Sequence, residues 1–323
     1  MTKVAFVIVC WNNCDLLNEC FESVRSQSYQ NISIIMVDNG SQDGSVTYVH
    51  QHFPAVRVIE TGSNLGFAKG NNVGIREALT DPAVGFVALI NTDARLERDW
   101  LEKIIEFAQQ KPKGAAFQGT TLDYFDHSLI DSTHIFIARN GQATQSHYQK
   151  RYRYELGPKK VFGVNAAAAV FSRAFIEAEP FDDFFDETMF MYLEDVDVAT
   201  RATVMGWDNY LVPGARAYHM GSKSSGKNPG FSLYMTFRNN LSVLVKNLPV
   251  PLLIKMAPRM MRADWQMFRW FRRQGMKKES WKMVQGRLAG LIYLPIVLLK
   301  RRRLSRLTTI DPCYLWSLME KGY

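Results

Sequence analysis

Four short apolar runs, separated by segments patterned like helices, constrain the fold of this chain more than any other feature. Val4-Ala5-Phe6-Val7-Ile8-Val9 is a continuous apolar run suited to a parallel strand covered on both faces. Asp15 to Arg25 then places Leu16, Leu17, Cys20, Phe21 and Val24 at helical spacing. The alternation continues with strands expected at Ile32 to Val37, Val56 to Ile59 and Val84 to Ile90. Helices are expected at Gly44 to Gln51, Phe67 to Leu79 and Asp99 to Gln110. Repeated β-α units on this scale predict an α/β protein with a doubly wound sheet.

From about Gly114 to Gly163 the pattern weakens into mixed short strands and loops, and the basic, aromatic stretch His147 to Tyr154 reads as a solvated connection or, alternatively, as a mobile loop near an acceptor. Gly163 to Phe171 then reads as a small-residue strand, where missing bulk lets a substrate or another backbone approach closely.

The net charge of +8 becomes informative once it is located. Between Lys246 and Arg306 stand sixteen Lys or Arg against Asp264 and Glu279, so this segment carries +14 and the remainder is acidic. Basic residues interleaved with Trp, Phe, Met and Leu fit helices lying on an anionic membrane, with Trp at headgroup depth. Solvated helices packed on a catalytic domain fit the same composition. Nucleic-acid binding fits less well, because no recognisable binding module accompanies the charge. The run Leu288 to Leu299 contains Pro295 and is shorter than the roughly 20 residues of an ordinary span. It is expected to lie in the interface or to enter it shallowly. The four cysteines show no Cys-x-x-Cys spacing, so reduced thiols are expected rather than a zinc site or a disulfide framework. Met1-Thr2-Lys3 leads straight into a strand without the pattern of a signal peptide, and a cytosolic chain is expected.

Two acidic signatures carry the chemistry. Asn91-Thr92-Asp93 ends the fourth apolar run, at the carboxyl edge of a buried strand where open α/β sheets bind ligands. Asp93 is the expected ligand of a hard divalent cation, which takes oxygen donors and shares its sphere with phosphate; capping of the next helix is the plainer reading. Asn91 stands where a second carboxylate would strengthen a cation site. Glu194-Asp195-Val196-Asp197 opens a helical segment carrying Arg201, which at four residues' spacing pairs with Asp197. Asp195 points about 100° or more away from either acidic neighbour and is free to face a pocket. Asp38 ends the second strand and begins a turn-rich Asn-Gly-Ser segment. Its carboxylate either caps that turn or accepts the N3 hydrogen of uracil or thymine. Gly66, Gly70 and Gly74 recur once per helical turn, letting a helix pack closely on the sheet.

With these motifs in order, the chain resembles an inverting family 2 glycosyltransferase of the GT-A fold. It is similar to the bacterial rhamnosyl- and galactofuranosyltransferases that build surface polysaccharides. The resemblance rests on Val9 to Asn13, Val37 to Ser45, Asn64 to Gly74, Asn91 to Asp93, Tyr192 to Arg201, His219 to Gly226 and Phe237 to Asn240. It implies a Rossmann-like, mixed sheet flanked by helices in a catalytic domain over residues 1–245, followed by a basic helical region over 246–323. It further implies that Asp38 binds the base, with Trp11 and Asn12 lining the nucleotide pocket and Asn64, Gly66 and Asn71 shaping the diphosphate site. Under the same resemblance Asp93 and His219 hold Mg²⁺ or Mn²⁺, Asn91 contacts nucleotide or sugar instead of replacing a charge, and Arg238 and Lys223 neutralise diphosphate. Ser224, Ser225 and Gly226 form a loop closing over the donor, and Asp195 is the general base. The implied partners are a TDP- or UDP-sugar and a glycan or polyprenyl-linked acceptor, with peripheral contact to an anionic membrane at the inner face of the plasma membrane and no nucleic acid. Two other classes share some of these features. A glycan-binding protein of the same fold would lack turnover, and a nucleotidyltransferase would release pyrophosphate.

Overall fold

The computed structural model describes residues 1–153, 157–221 and 229–319. Its first half alternates as the apolar runs require: β1 (Lys3–Cys10), α1 (Cys14–Arg25), β2 (Ile32–Asp38), α2 (Ser45–His52), β3 (Arg57–Glu60), α3 (Gly66–Leu79), β4 (Val84–Ile90), β5 (Ala94–Leu96) and α4 (Trp100–Ala108). The ten-residue β6 (Gly114–Asp123) follows, and then shorter strands: β7 (Ile130–Ser132), β8 (Ile135–Ile137), β9 (Ala143–Gln145), β10 (Lys159–Val161) and β11 (Ala168–Ser172). Then come α5 (Arg173–Ala178), a 3₁₀ turn (Glu187–Met189), α6 (Glu194–Val204) and the long β12 (Asp208–His219). Among the described residues five helices follow: α7 (Pro229–Asn247), α8 (Val250–Arg273), α9 (Lys277–Ile292), α10 (Leu294–Ser305) and α11 (Pro312–Leu318).

The main sheet runs β10-β12-β6-β11-β4-β1-β2-β3, with β5 and β7 attached to β12 and β6. β4, β1, β2 and β3 are mutually parallel, whereas β11 is antiparallel to both β4 and β6. The sheet is therefore mixed, and the doubly wound pattern holds only for its β-α half. Period-two alternation along β1 explains the two cores. Val4, Phe6, Ile8 and Cys10 meet α1 and α4 on one face, while Ala5 and Val7 meet α3, α5 and α6 on the other. α3 reaches β1 through its glycine face: a β-carbon at Gly74 would stand 2.3 Å from Val7 Cγ1.

The expected strand from Gly163 is shorter than its small residues suggest. Only Ala168–Ser172 pairs as β11, because the amide of Asn165 is drawn to the Gln118 side chain and that of Ala166 faces Asp195. Residues 165–167 instead wall a cavity. The cysteines are all free thiols.

The basic C-terminal helices are not merely solvated. α7 runs across residue 246 without a break, and Lys246 is buried between the carboxylates of Asp186 (2.6 Å) and Asp197 (2.9 Å). Asp197 also receives Arg201 and Asn247, and Arg201 reaches Glu179. Lys300 bonds Asp186 from α10, and Arg301 donates to the carbonyl oxygens of Val245 and Leu248 at the end of α7.

Candidate active site

Parallel pairing of β1, β2 and β4 brings their carboxyl ends to one edge, with Cys10 opposite Asp38 in the register. The residues that follow these strands, Trp11 to Asn13, Asn39 to Ser41 and Asn91 to Asp93, meet there as loops, with Asp38 the last residue of β2. Two cavities open at this edge. One, of about 430 Å³, is lined by Trp11, Asn39, Asn64, Gly66 and Phe231. The other, of about 270 Å³, is lined by Thr144, Asn165, Glu194, Asp195 and His219. Phe67, Asn91, Asp93 and Met191 line both, so Asp93 stands on their common wall.

The first cavity is built from loop-stabilising amides. Asn39 accepts the amide of Leu65 (3.0 Å) and donates to the carbonyl oxygen of Gly66 (3.0 Å), while Asn64 accepts the amide of Gly66 (2.9 Å). Asp38 is buried, and its carboxylate accepts the amides of Gly40 and Ser41, capping its own turn. Asn12, at φ 54°, accepts the amide of Gln42. Asn71 lies inside α3, donating to Phe67 O at 2.9 Å, and acts on the cavity only through the helix. Asn39 was not singled out by pattern; its neighbour Asp38 carried the stronger signal.

Gly66 sits at φ 81°, and a β-carbon there would stand 2.5 Å from Phe190 O. Gly66→Ala is expected to destabilise the protein by about 2 kcal/mol, from left-handed strain and displacement of residue 190. Thermal unfolding should show this loss together with weaker nucleotide binding. An unshifted melt would mean that Phe190 moves aside freely.

The second cavity depends on a strained entry into α6. Phe190, Tyr192 and Leu193 adopt φ values of 62°, 71° and 68°, each costing about 1–2 kcal/mol for a side-chain-bearing residue. Asn239 of α7 holds them by donating Nδ2 to the carbonyl oxygens of Met189, Met191 and Tyr192 at 2.8–2.9 Å. Arg238 Nη2 donates to Thr188 O and Met189 O, both at 2.8 Å. Arg238 thus braces this segment and lines neither cavity. Its sequence neighbour Asn239 is the second anchor.

The strained turn places Glu194 and Asp195 side by side in the cavity wall. Asp195 accepts the amide of Val196 at 2.7 Å and faces that of Ala166 at 3.5 Å. Burial pushes its carboxyl up to about 6 despite these hydrogen bonds. Burial and the adjacent Asp195 charge raise Glu194 well above the ordinary carboxylate range, and its Oε2 has no hydrogen-bond partner among the described residues. Asp197, one turn on, belongs to the ion network and not to the cavity.

His219 ends β12 beside Ala94, across the β12–β5 pair. Its Nδ1 lies 3.0 Å from Asp131 Oδ2, and its Nε2 faces Asp93 Oδ1 at 3.3 Å without an aligned hydrogen bond. Burial opposes charging of the ring, yet Asp131 and Asp93 outweigh it and push His219 up to about 10. Asp131 lies far upstream in sequence, and no spacing rule marks it. A carboxylate and an imidazole nitrogen at this spacing, with the other ring nitrogen fixed by a second carboxylate, suit a divalent cation that displaces the Nε2 proton as it binds. Among the described residues no group of three or more His, Cys, Asp or Glu is arranged to hold a metal by itself. Such a pair therefore fits a cation that also draws ligands from a bound phosphate. Lys223, Ser224, Ser225 and Gly226 lie outside the described residues.

Comparison with known proteins agrees with this architecture. An N-acetylglucosaminyl-diphospho-decaprenol L-rhamnosyltransferase of Mycobacterium tuberculosis is 28% identical over 225 residues, covering 62% of this chain and 71% of that protein. The solved mannosyltransferase PcManGT from Pyrobaculum calidifontis, in complex with GDP-Man and Mn²⁺, superposes with a TM-score of 0.56 at 15% identity, over 98% of this chain and 84% of that one. GalNAc-T7 with UDP, GalNAc and Mn²⁺ gives 0.59 at 12% identity, over 76% and 48%. These two likenesses establish the GT-A fold. Residues 5–178, more than half of the chain, match Glycosyl transferase family 2, and the protein belongs to that family of glycosyltransferases.

Proposed function

We propose that this enzyme transfers rhamnose or another hexose from a TDP- or UDP-sugar to a hydroxyl of a glycan or polyprenyl-linked acceptor, with inversion and with Mg²⁺ or Mn²⁺. It does so in contact with an anionic membrane surface, at the inner face of the plasma membrane, in cell-surface polysaccharide synthesis. The observation that carries the reading is the pair of cavities meeting at Asn91 and Asp93, with Asp195 in the second. The first has the aromatic wall and amide groups suited to a nucleotide, including Trp11, Asn39 and Asn64. The second offers a carboxyl group able to take a proton near neutrality.

In the proposed reaction Asp195 removes the proton of the acceptor hydroxyl, and that oxygen attacks the anomeric carbon opposite the nucleoside diphosphate. One C–O bond forms as the other breaks, and no enzyme nucleophile is required. Asp93 and His219 would hold the cation, which supplies positive charge to the departing diphosphate. Asn91 contacts the donor from the shared wall, and Asp38, which lines neither cavity, holds the turn beside Asn39, whose side chain lines the first. Arg238 is a positioning residue for the segment before α6.

Incubation with a panel of TDP- and UDP-sugars, with and without a polyprenyl-diphosphate-linked glycan acceptor, tests this reading. Release of nucleoside diphosphate and formation of an inverted glycosidic linkage are expected. Pyrophosphate release would identify a nucleotidyltransferase, and donor binding without turnover a glycan-binding protein; either overturns the proposal. Asp131→Asn is expected to weaken Mn²⁺ binding by about 10–100-fold, because it loosens the orientation of His219. Thermal shift at fixed donor concentration across a Mn²⁺ titration reads this directly. An unchanged midpoint would separate Asp131 from the cation site.

A further inference from the structure

The outer face of α8 to α11 lines neither cavity of the candidate site, and α9 is built inside out. Ser280, Met283, Gly286 and Gly290 form its buried side. A β-carbon at Gly286 would stand 2.4 Å from Tyr234 O, and one at Gly290 2.9 Å from Arg238 O, so α9 lies backbone to backbone on α7. On its opposite side Trp281 and Leu288 are each 57% exposed and Ile292 78%. A helix on a water-facing surface turns bulk inward and polar groups outward. Small residues at the helix contact with large apolar ones outside is the arrangement of helices in lipid.

α10 follows past a 59° bend and also exposes Ile296 and Leu299, at the rim of a cavity in which Lys300 and Arg303 stand opposite Asp182, Asp183 and Asp186. Exposed cations border these apolar side chains at both ends, Lys278 and Lys282 on α9 and Arg302 and Arg303 on α10. Lys300 and Arg301, by contrast, turn inward to Asp186 and to the end of α7. Those two contacts and the glycine contacts of α9 fasten both arms of the bend to one body. No single described helix is long and apolar enough to cross a membrane, and the 16 residues of α9 extend about 24 Å, short of the roughly 30 Å of hydrocarbon.

We propose that the α9–α10 bend is a shallow wedge that inserts Leu288, Ile292, Ile296 and Leu299 into an anionic leaflet. Trp281 then lies at headgroup depth, and the bordering Lys and Arg meet lipid phosphate. Charge complementarity selects this occupant over a second copy of the chain, which would set like charges against each other. The proposal rests on the membrane contact in the reading above, and not on its donor or acceptor.

Flotation of the full chain with vesicles of phosphatidylcholine alone, and of phosphatidylcholine with one quarter phosphatidylglycerol, tests it without any substrate. Binding to the anionic vesicles is expected, with brominated lipid quenching Trp281 emission relative to a Trp281→Phe control. The triple variant Leu288→Ser/Ile292→Ser/Leu299→Ser alters exposed positions, and an unchanged melt confirms that it folds. It is expected to lose binding by about tenfold or more while nucleoside diphosphate release in solution is unchanged. Equal flotation of the triple variant, absence of wild-type binding, or a stable dimer that buries Trp281 would each overturn the wedge. So would loss of binding in Lys278→Glu/Lys282→Glu alone with the triple variant unaffected, since that outcome describes a surface held only by charge.

Discussion

Asp195→Asn is expected to lower kcat by about 10²–10⁴-fold while leaving nucleotide-sugar affinity nearly unchanged. The substitution preserves shape, and its amide oxygen still accepts the amide of Val196. What it removes is the capacity to accept the acceptor's proton. Asp195 lines the second cavity but not the first, which is why donor binding should survive. The same group sets a pH prediction. With the carboxyl held at about 6 by burial, kcat/KM should rise through an acidic limb near that value as the base ionises. The limb belongs to the Glu194–Asp195 pair, because neighbouring carboxyls titrate together. Burial and the neighbouring Asp195 charge raise Glu194 well above the ordinary carboxylate range and so favour its uncharged form; Glu194→Gln, the isostere of that form, should retain most turnover. Near-normal turnover in Asp195→Asn would remove Asp195 as the base. A comparable loss confined to Glu194→Gln would transfer the role to Glu194.

A second large effect is expected far from the chemistry. Lys246→Met should destabilise the protein by about 3–5 kcal/mol at neutral pH, because breaking a buried ion pair leaves uncompensated charge in a low-dielectric interior. Met matches the length of the Lys stem and fills its space, so the loss reports the cation. Lys246 lies between Asp186 and Asp197, and both carboxylates are buried. Burial alone would push Asp186 up, but Lys246 and Lys300 hold it well below the usual carboxylate range. A lowered folded-state pKa contributes stability above the unfolded value of about 4, and that contribution is lost as pH falls below it. The difference between wild type and Lys246→Met should therefore be largest near pH 7 and shrink below about pH 4. Urea unfolding at several pH values measures it. A loss under about 1 kcal/mol at pH 7 would show that Arg201 and Lys300 suffice to neutralise the site. The network also joins α7 to α6, whose first turn carries Asp195, so reduced turnover is expected to accompany the loss of stability.

The β-α half of the fold was legible because hydrophobic period is a local property. The expected helix Asp15 to Arg25 appears as Cys14–Arg25, and the expected strand 84–90 as Val84–Ile90. Asn91 and Asp93 were placed at the cavity wall by the same logic, since a parallel strand delivers the residues after it to the carboxyl edge. Where pairing became antiparallel and long-range, local pattern said less. The segment from Gly163 reads as strand throughout, yet residues 163–167 leave the sheet, because Gln118 draws the amide of Asn165 out of the ladder.

The amino-acid sequence alone determined the α/β class, the strand-end position of Asp93, the helical position of Asp195 and the concentration of positive charge after residue 246. These follow from composition, period and spacing, which act between near neighbours in the chain. Only the tertiary structure decided that Arg238 braces the strained approach to α6, that Asp131 orients His219, and that Lys246 and Lys300 are buried counter-ions. It also decided that α9 shows its large apolar side chains to the outside. Each of these depends on which distant groups share a low-dielectric space or a backbone contact. A cation has the same residue code whether it faces water or neutralises a buried carboxylate, and only the packed chain distinguishes the two.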